Sequence, residues 1–144
     1  MITYVDTSSL LKLLIDEDGS ERVERIWDSS DVVAGSALIV VEARAALAAA
    51  ARGARLTPAQ HREARGGLAV LVEELSIVDV TEQLIADAAE LAEQEALRGY
   101  DAVHLASALM IGADLVTSAD ANLCDVAGSR GLHVVNPLDG WFAA

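Results

Sequence analysis

The chain of 144 residues carries 10 basic and 23 acidic side chains, a net charge of −13 with a pI near 4.4. That length supports one domain (1–144) with a core of ordinary size, and 53% hydrophobic residues with two prolines exclude a disordered chain. The acidity excludes a domain that holds nucleic acid by neutralising phosphate over its whole surface, and five aromatic residues are too few for a base-stacking sheet.

The β-branched run at 2–5 reads as a buried strand ending at Asp6. Thr7-Ser8-Ser9 then reads as the cap of a helix over 10–14. Gly19-Ser20 restarts a second helix, with Val23, Ile26 and Trp27 at helical spacing. A second strand at 31–34 is ended by Gly35-Ser36, and a long helix over 37–52 is broken by Gly53. Thr57-Pro58 caps another helix that runs to about 74, weakened by Gly66-Gly67. The third strand is expected at 75–80, and an amphipathic helix from Thr81 until Gly99 stops it. The stretch 100–111 is apolar nearly all round and reads as a buried helix. A strand at 115–117, a short helix at 119–127 and a last strand at 132–135 complete the pattern. Strands alternating with helices predict an α/β fold with a mainly parallel sheet of about five strands, and ligands bind such sheets beyond the carboxyl ends of the strands.

The only cysteine, Cys124, rules out an intramolecular disulfide and a cysteine-based zinc site, and points to a reducing, cytoplasmic compartment. The N-terminus lacks the basic and apolar regions of a signal peptide, and the 12-residue apolar stretch at 102–113 is too short to span a bilayer. Cys124 itself reads as a small core residue, and His104 as a hydrogen-bonded core histidine.

Four carboxylates break their local pattern. Asp6 and Asp120 follow buried strands, Glu42 lies inside an apolar helix, and Asp101 heads the most apolar helix. Each has an ordinary explanation: an N-cap for Asp6 and Asp120, a helix-dipole partner for Asp101, and an arginine salt bridge for Glu42. Burying carboxylates costs several kcal/mol unless they are paired or on a cation. Nine arginines and one lysine, Lys12, are too few to answer all four alongside the other acids. The expected site is one for a hard cation, Mg²⁺ or Mn²⁺, which also lets a phosphate approach so acidic a protein. Ser8 and Thr117 are the candidate supporting hydroxyls.

Val5-Asp6-Thr7-Ser8-Ser9-Leu10, Glu42, Tyr100-Asp101-Ala102-Val103-His104-Leu105-Ala106 and Val116-Thr117-Ser118-Ala119-Asp120, in that order, resemble the motifs of PIN domains. The length and the closing Gly131-Leu132-His133-Val134-Val135-Asn136-Pro137 resemble the VapC toxins of bacterial type II toxin–antitoxin pairs. The resemblance implies a PIN-like three-layer α/β/α sandwich and a Mg²⁺- or Mn²⁺-dependent endoribonuclease. It places Asp6, Glu42, Asp101 and Asp120 as the catalytic, metal-holding acids, with Ser8 and Thr117 in support. It also implies a homodimer and a cognate VapB-type antitoxin. The acidic pocket would suit an inserted antitoxin arginine, and Leu10, Leu13, Leu14 and Trp27 are either core or a groove for its helix.

Residues 44–65 hold five arginines and one acid, Glu63, a local charge of +4. Arg44, Arg52 and Arg55 are therefore candidate RNA contacts, with solvated arginines as the plain alternative. A receiver-like phospho-acceptor domain is disfavoured because Lys12 sits on the first helix, and a haloacid-dehalogenase-like phosphatase because Asp6 is followed by Thr7-Ser8. A degenerate PIN-like domain that only binds a partner is the remaining competitor, and the presence of all four acids argues against it.

Overall fold

The computed structural model describes residues 1–139. Its elements in chain order are β1 (Ile2–Val5), α1 (Thr7–Leu10), continued by a 3₁₀ turn (Leu11–Leu13), α2 (Ser20–Ser29), β2 (Val32–Ser36), α3 (Leu38–Arg52), α4 (Pro58–Glu74) and β3 (Ser76–Val78). Then follow α5 (Glu82–Glu95), α6 (Gly99–Met110), β4 (Leu115–Thr117), α7 (Ala121–Ser129) and β5 (His133–Val135). The five strands form one sheet in the order β3-β2-β1-β4-β5, and every neighbouring pair is parallel.

Strand alternation sends successive side chains to opposite faces, and the two faces bury different helices. Val5 and Val33 pack with Leu10 of α1, Ile39 and Ala43 of α3 and Leu68 of α4. Tyr4, Ala34 and Val116 pack with Ala108 of α6 on the other face. Leu84, Leu91, Leu105 and Leu123 tie α5, α6 and α7 together. The expected α/β/α sandwich is therefore the observed one. Leu10 is fully buried, and Leu14 and Trp27 pack on the same cluster, so these residues serve the core.

Several expected boundaries shift for local physical reasons. The first helix begins at Thr7, not Leu10, because Asp6 is its N-cap and accepts from the Ser9 amide at 3.0 Å. β2 continues through Gly35-Ser36 instead of ending there. A Cβ on Gly35 would stand 2.5 Å from Ile39 Cδ1, so the missing side chain lets α3 pack against the strand. Gly66-Gly67 does not interrupt α4, which starts from a Thr57–Gln60 capping box and lies close to Leu14 at Gly67. α5 ends at Glu95, four residues before Gly99, because Ala96 takes the left-handed conformation at φ 54°; Gly99 instead opens α6.

The chain builds β1, β2 and β3 outward in one direction, then returns to place β4 on the other side of β1. In open α/β sheets such a reversal marks the crevice where ligands bind, here beyond the carboxyl ends of β1 and β4.

Candidate active site

All four singled-out carboxylates belong to elements that meet at this crevice. Asp6 follows β1 and Asp120 follows β4, each as the N-cap of the next helix. Glu42 lies on α3 beside the buried stripe of Ile39, Ala43 and Leu47, and Asp101 lies in the first turn of α6. The N-cap explanations are thus correct descriptions of the backbone at Asp6 and Asp120, and each leaves one carboxylate oxygen for a side-chain partner, Ser118 at Asp6 and Arg98 at Asp120.

Asp6 is 4% exposed. Its Oδ1 accepts from Ser8 Oγ at 2.7 Å and from the Ser9 amide, and its Oδ2 accepts from Ser118 Oγ at 2.6 Å. Burial pushes this carboxyl above its ordinary value, and the charge of His104 and the three hydrogen bonds only partly offset that. Register explains Ser118: β1 and β4 pair Val5 with Thr117, which brings the next residue of each strand together. Ser118 Oγ also accepts from the Asp120 amide at 3.0 Å, and Ser8 Oγ from the Ala119 amide at 2.9 Å.

Thr117, expected in support of the carboxylates, has its hydroxyl 3.0 Å from Ser9 Oγ in the interior. The two-residue period of a strand turns Thr117 away and leaves Ser118, which nothing in the sequence singles out, to meet Asp6. Ser8 occupies the expected supporting position.

Glu42 Oε1 accepts from Thr7 Oγ1 at 2.9 Å and from His104 Nε2 at 2.7 Å. The ordinary alternative for Glu42 was an arginine salt bridge; its partner is instead a histidine, held in turn by the Tyr4 hydroxyl 2.7 Å from Nδ1. Burial opposes ionisation of Glu42, but the hydrogen bond and charge of His104, with Thr7, hold its carboxyl below the ordinary value. His104 is therefore the expected hydrogen-bonded core histidine, and it fixes Glu42.

The residue least visible in the sequence is Arg98. Its Nε donates to Asp101 Oδ2 and its Nη2 to Asp120 Oδ2, both at 2.9 Å. One guanidinium thus bridges two of the four acids. The signal available for it was position alone: it is the only arginine between 66 and 129. The Arg44, Arg62 and Arg65 side chains line a groove of about 520 Å³ between α3 and α4, with Val40, Leu68 and Val72. Arg55 lies 3.6 Å from Glu17. Arg44, Arg62 and Arg65 of the basic strip therefore occupy the α3–α4 face, while Arg98 pairs with Asp101 and Asp120. Cys124, half-buried, donates to the Ser118 carbonyl, and burial pushes its thiol up to about 11. It is a neutral packing group.

Among the described residues, no three Asp, Glu, His or Cys side chains converge closely enough to hold a metal ion as they stand. The donor set nevertheless fits a hard cation. All four groups are carboxylates, and Asp6 is buried against hydroxyls and an amide with no cationic hydrogen-bond partner.

The family model for the PIN domain matches residues 3–129. The chain belongs to the PIN-domain family. It is 41% identical over 132 residues to Ribonuclease VapC45 of Mycobacterium tuberculosis, covering 92% of this chain and 87% of that one. PAE2754 from Pyrobaculum aerophilum has the same fold, with a TM-score of 0.71 at 20% identity, over 96% of this chain and 86% of that one. A toxin–antitoxin complex from Klebsiella pneumoniae contains a chain with a TM-score of 0.68 at 18% identity, over 94% of this chain and 97% of that one. In this PIN domain the matched span includes all four acids and Arg98. No helix among the described residues is long and apolar enough to cross a membrane.

Proposed function

We propose that this PIN domain is the ribonuclease toxin of a type II toxin–antitoxin pair, an endonuclease that hydrolyses RNA phosphodiester bonds with a divalent cation. The observation that carries this reading is the hydrogen-bond chain that links Asp6 to Asp120 through Ser118 and Asp120 to Asp101 through Arg98, with Glu42 held from α1 and α6 by Thr7 and His104. The 41% identity to a ribonuclease over most of the chain supports it. Asp6, Glu42, Asp101 and Asp120 would hold Mg²⁺ or Mn²⁺. The ion supplies charge stabilisation to the phosphoryl group and acidifies a water.

The chain's own side chains prepare that chemistry. Ser8 and Ser118 fix both oxygens of Asp6, and Thr7 and His104 leave Glu42 ionised with Oε1 fixed. A carboxylate held in one rotamer by packed hydrogen bonds loses little entropy when it takes a ligand. The reaction adds water across one P–O bond, and the displaced ribose oxygen takes up a proton.

A cytoplasmic nuclease endangers its own cell, so the partner is a cognate VapB-type antitoxin, and the homodimer implied by family resemblance is the working assembly. The Arg44, Arg52 and Arg55 strip is the proposed path of the RNA backbone. The competing reading, a partner-binding domain without catalysis, gives the four acids only their structural tasks: capping α1 and α7, pairing with Arg98, and bonding Thr7 and His104. Incubating purified protein with single-stranded RNA and Mg²⁺ or Mn²⁺ tests the proposal. Cleavage that disappears with chelator and in Asp101→Asn is expected; RNA left intact at every metal concentration would refute it.

A further inference from the structure

We propose that Arg98 is an exchangeable counterion: it neutralises Asp101 and Asp120 in the metal-free protein, yields them to the divalent cation, and then pairs with a phosphate of the RNA. This deepens the metal-dependent nuclease reading and rests on it.

The geometry separates Arg98 from an ordinary surface ion pair. Two different nitrogens of one guanidinium reach carboxylates on two different elements, each at 2.9 Å. Exposure is graded from inside out: the Asp101 side chain is 14% exposed, Asp120 28% and Arg98 78%. The arginine therefore lies over the two acids from the solvent side, along the direction from which an ion or a phosphate arrives. Its departure uncovers oxygen atoms that are otherwise spoken for.

The same exposure makes departure easy. Ion pairs with a solvent-exposed member are weak, because water competes for the cation. Arg98 stands in the connection between α5 and α6, at the N-cap of α6 with extended backbone. Buried Leu97 precedes it, and a Cβ on Gly99 after it would meet nothing within 4 Å. The main chain is held on both sides, by buried Leu97 and by the Ala102 amide that donates to the Arg98 carbonyl at 3.0 Å, while the long, exposed side chain can swing without unpacking the core. Guanidinium and divalent metal cannot both satisfy Asp101 Oδ2 and Asp120 Oδ2, so each lowers the other's occupancy. Once displaced, the planar guanidinium stays within a side chain's length of the same rim, where its donor fork matches a phosphate.

The experiment is a calorimetric titration of the metal-free protein with Mn²⁺, without RNA. Arg98→Gln is expected to bind Mn²⁺ about two- to tenfold more tightly than the parent, the range expected from releasing weak exposed pairs. Arg98→Lys, with one nitrogen, falls between. Arg130→Gln removes a charge at the C-cap of α7, the opposite end of that helix from Asp120, where Arg130 meets Gln94 and Glu95; it controls for the change in net charge and is expected to leave the affinity unchanged. A second arm measures binding of a short single-stranded RNA with Ca²⁺ in place of Mg²⁺. There Arg98→Gln is expected to bind about three- to tenfold more weakly although it holds metal more tightly.

Equal Mn²⁺ affinity in the parent and Arg98→Gln, or an equal gain in Arg130→Gln, overturns the counterion role and leaves the nuclease reading intact. Undiminished RNA affinity in Arg98→Gln overturns the transfer to phosphate. Absence of Mn²⁺ binding in every variant overturns the metal-dependent reading together with this proposal.

Discussion

Asp6 is the pivotal residue, because folding buries it with two hydroxyls and an amide, and no cation, as its hydrogen-bond partners. Its carboxyl is raised above the ordinary 3.8, so the folded protein binds that proton more tightly than the unfolded chain does. Its contribution to metal-free stability is therefore complete below pH 3.8 and is lost as pH rises through the folded value. Asp6→Asn removes this loss: the melting temperature of the variant minus that of the parent is expected to be more positive at pH 8 than at pH 4 in chelator. Glu42 runs in the opposite direction, since its lowered carboxyl stabilises at neutral pH and loses that contribution as pH falls through its folded value. Tyr4→Phe leaves a buried His104 nitrogen without its 2.7 Å partner and is expected to cost about 1–3 kcal/mol in urea unfolding. The four acids stand out in the sequence because charge in an apolar run is conspicuous. Ser118 and His104 were not legible as partners of Asp6 and Glu42, because those pairs lie 112 and 62 positions apart. Arg98 was hidden for another reason: its role depends on where one side chain reaches across a loop. Thr117 and Ser118 are adjacent polar residues, and only the strand register decides which of them meets Asp6.

Secondary structure was readable where a period or a capping pair states it. Thr57-Pro58 with Gln60 does so for α4, and Thr81 for α5, whose side chain accepts from the Leu84 amide. Glycine misled in both directions, since Gly35 lies within β2 and Gly99 begins a helix rather than ending one. A glycine signals a turn or a close approach, and only packing distinguishes them. Gly35→Ala would press a methyl group against fully buried Ile39 and is expected to destabilise by about 1–3 kcal/mol, measured by denaturant unfolding. The true end of α5 is Ala96 at φ 54°, a conformation that strains an L-residue. Ala96→Gly should therefore raise stability by about 0.5–1 kcal/mol, and a decrease would mean that the added flexibility outweighs relieved strain.

Over the whole molecule, a charge of −13 is spread unevenly, and that unevenness is what a polyanion meets. Arg44, Arg62 and Arg65 line one groove between α3 and α4, whereas Arg55 is engaged with Glu17. Reversing Arg44 and Arg65 to Glu is expected to weaken RNA binding and flatten its salt dependence by about 0.7 for each phosphate no longer neutralised. An unchanged slope would assign the groove to something other than RNA. The layered fold was legible because alternating strands and helices admit few arrangements. The strand order could not be read, yet it creates the crevice by placing β4 beside β1. The proposed function requires the acids at that crevice to cleave RNA together through a metal. The most direct measurement is the single-turnover rate of RNA cleavage by the parent, Asp6→Asn and Glu42→Gln proteins across a Mg²⁺ titration. The parent rate should rise with metal and vanish in chelator, with each variant slower by about 100-fold or more. Metal-independent cleavage, or variants as fast as the parent, would contradict it.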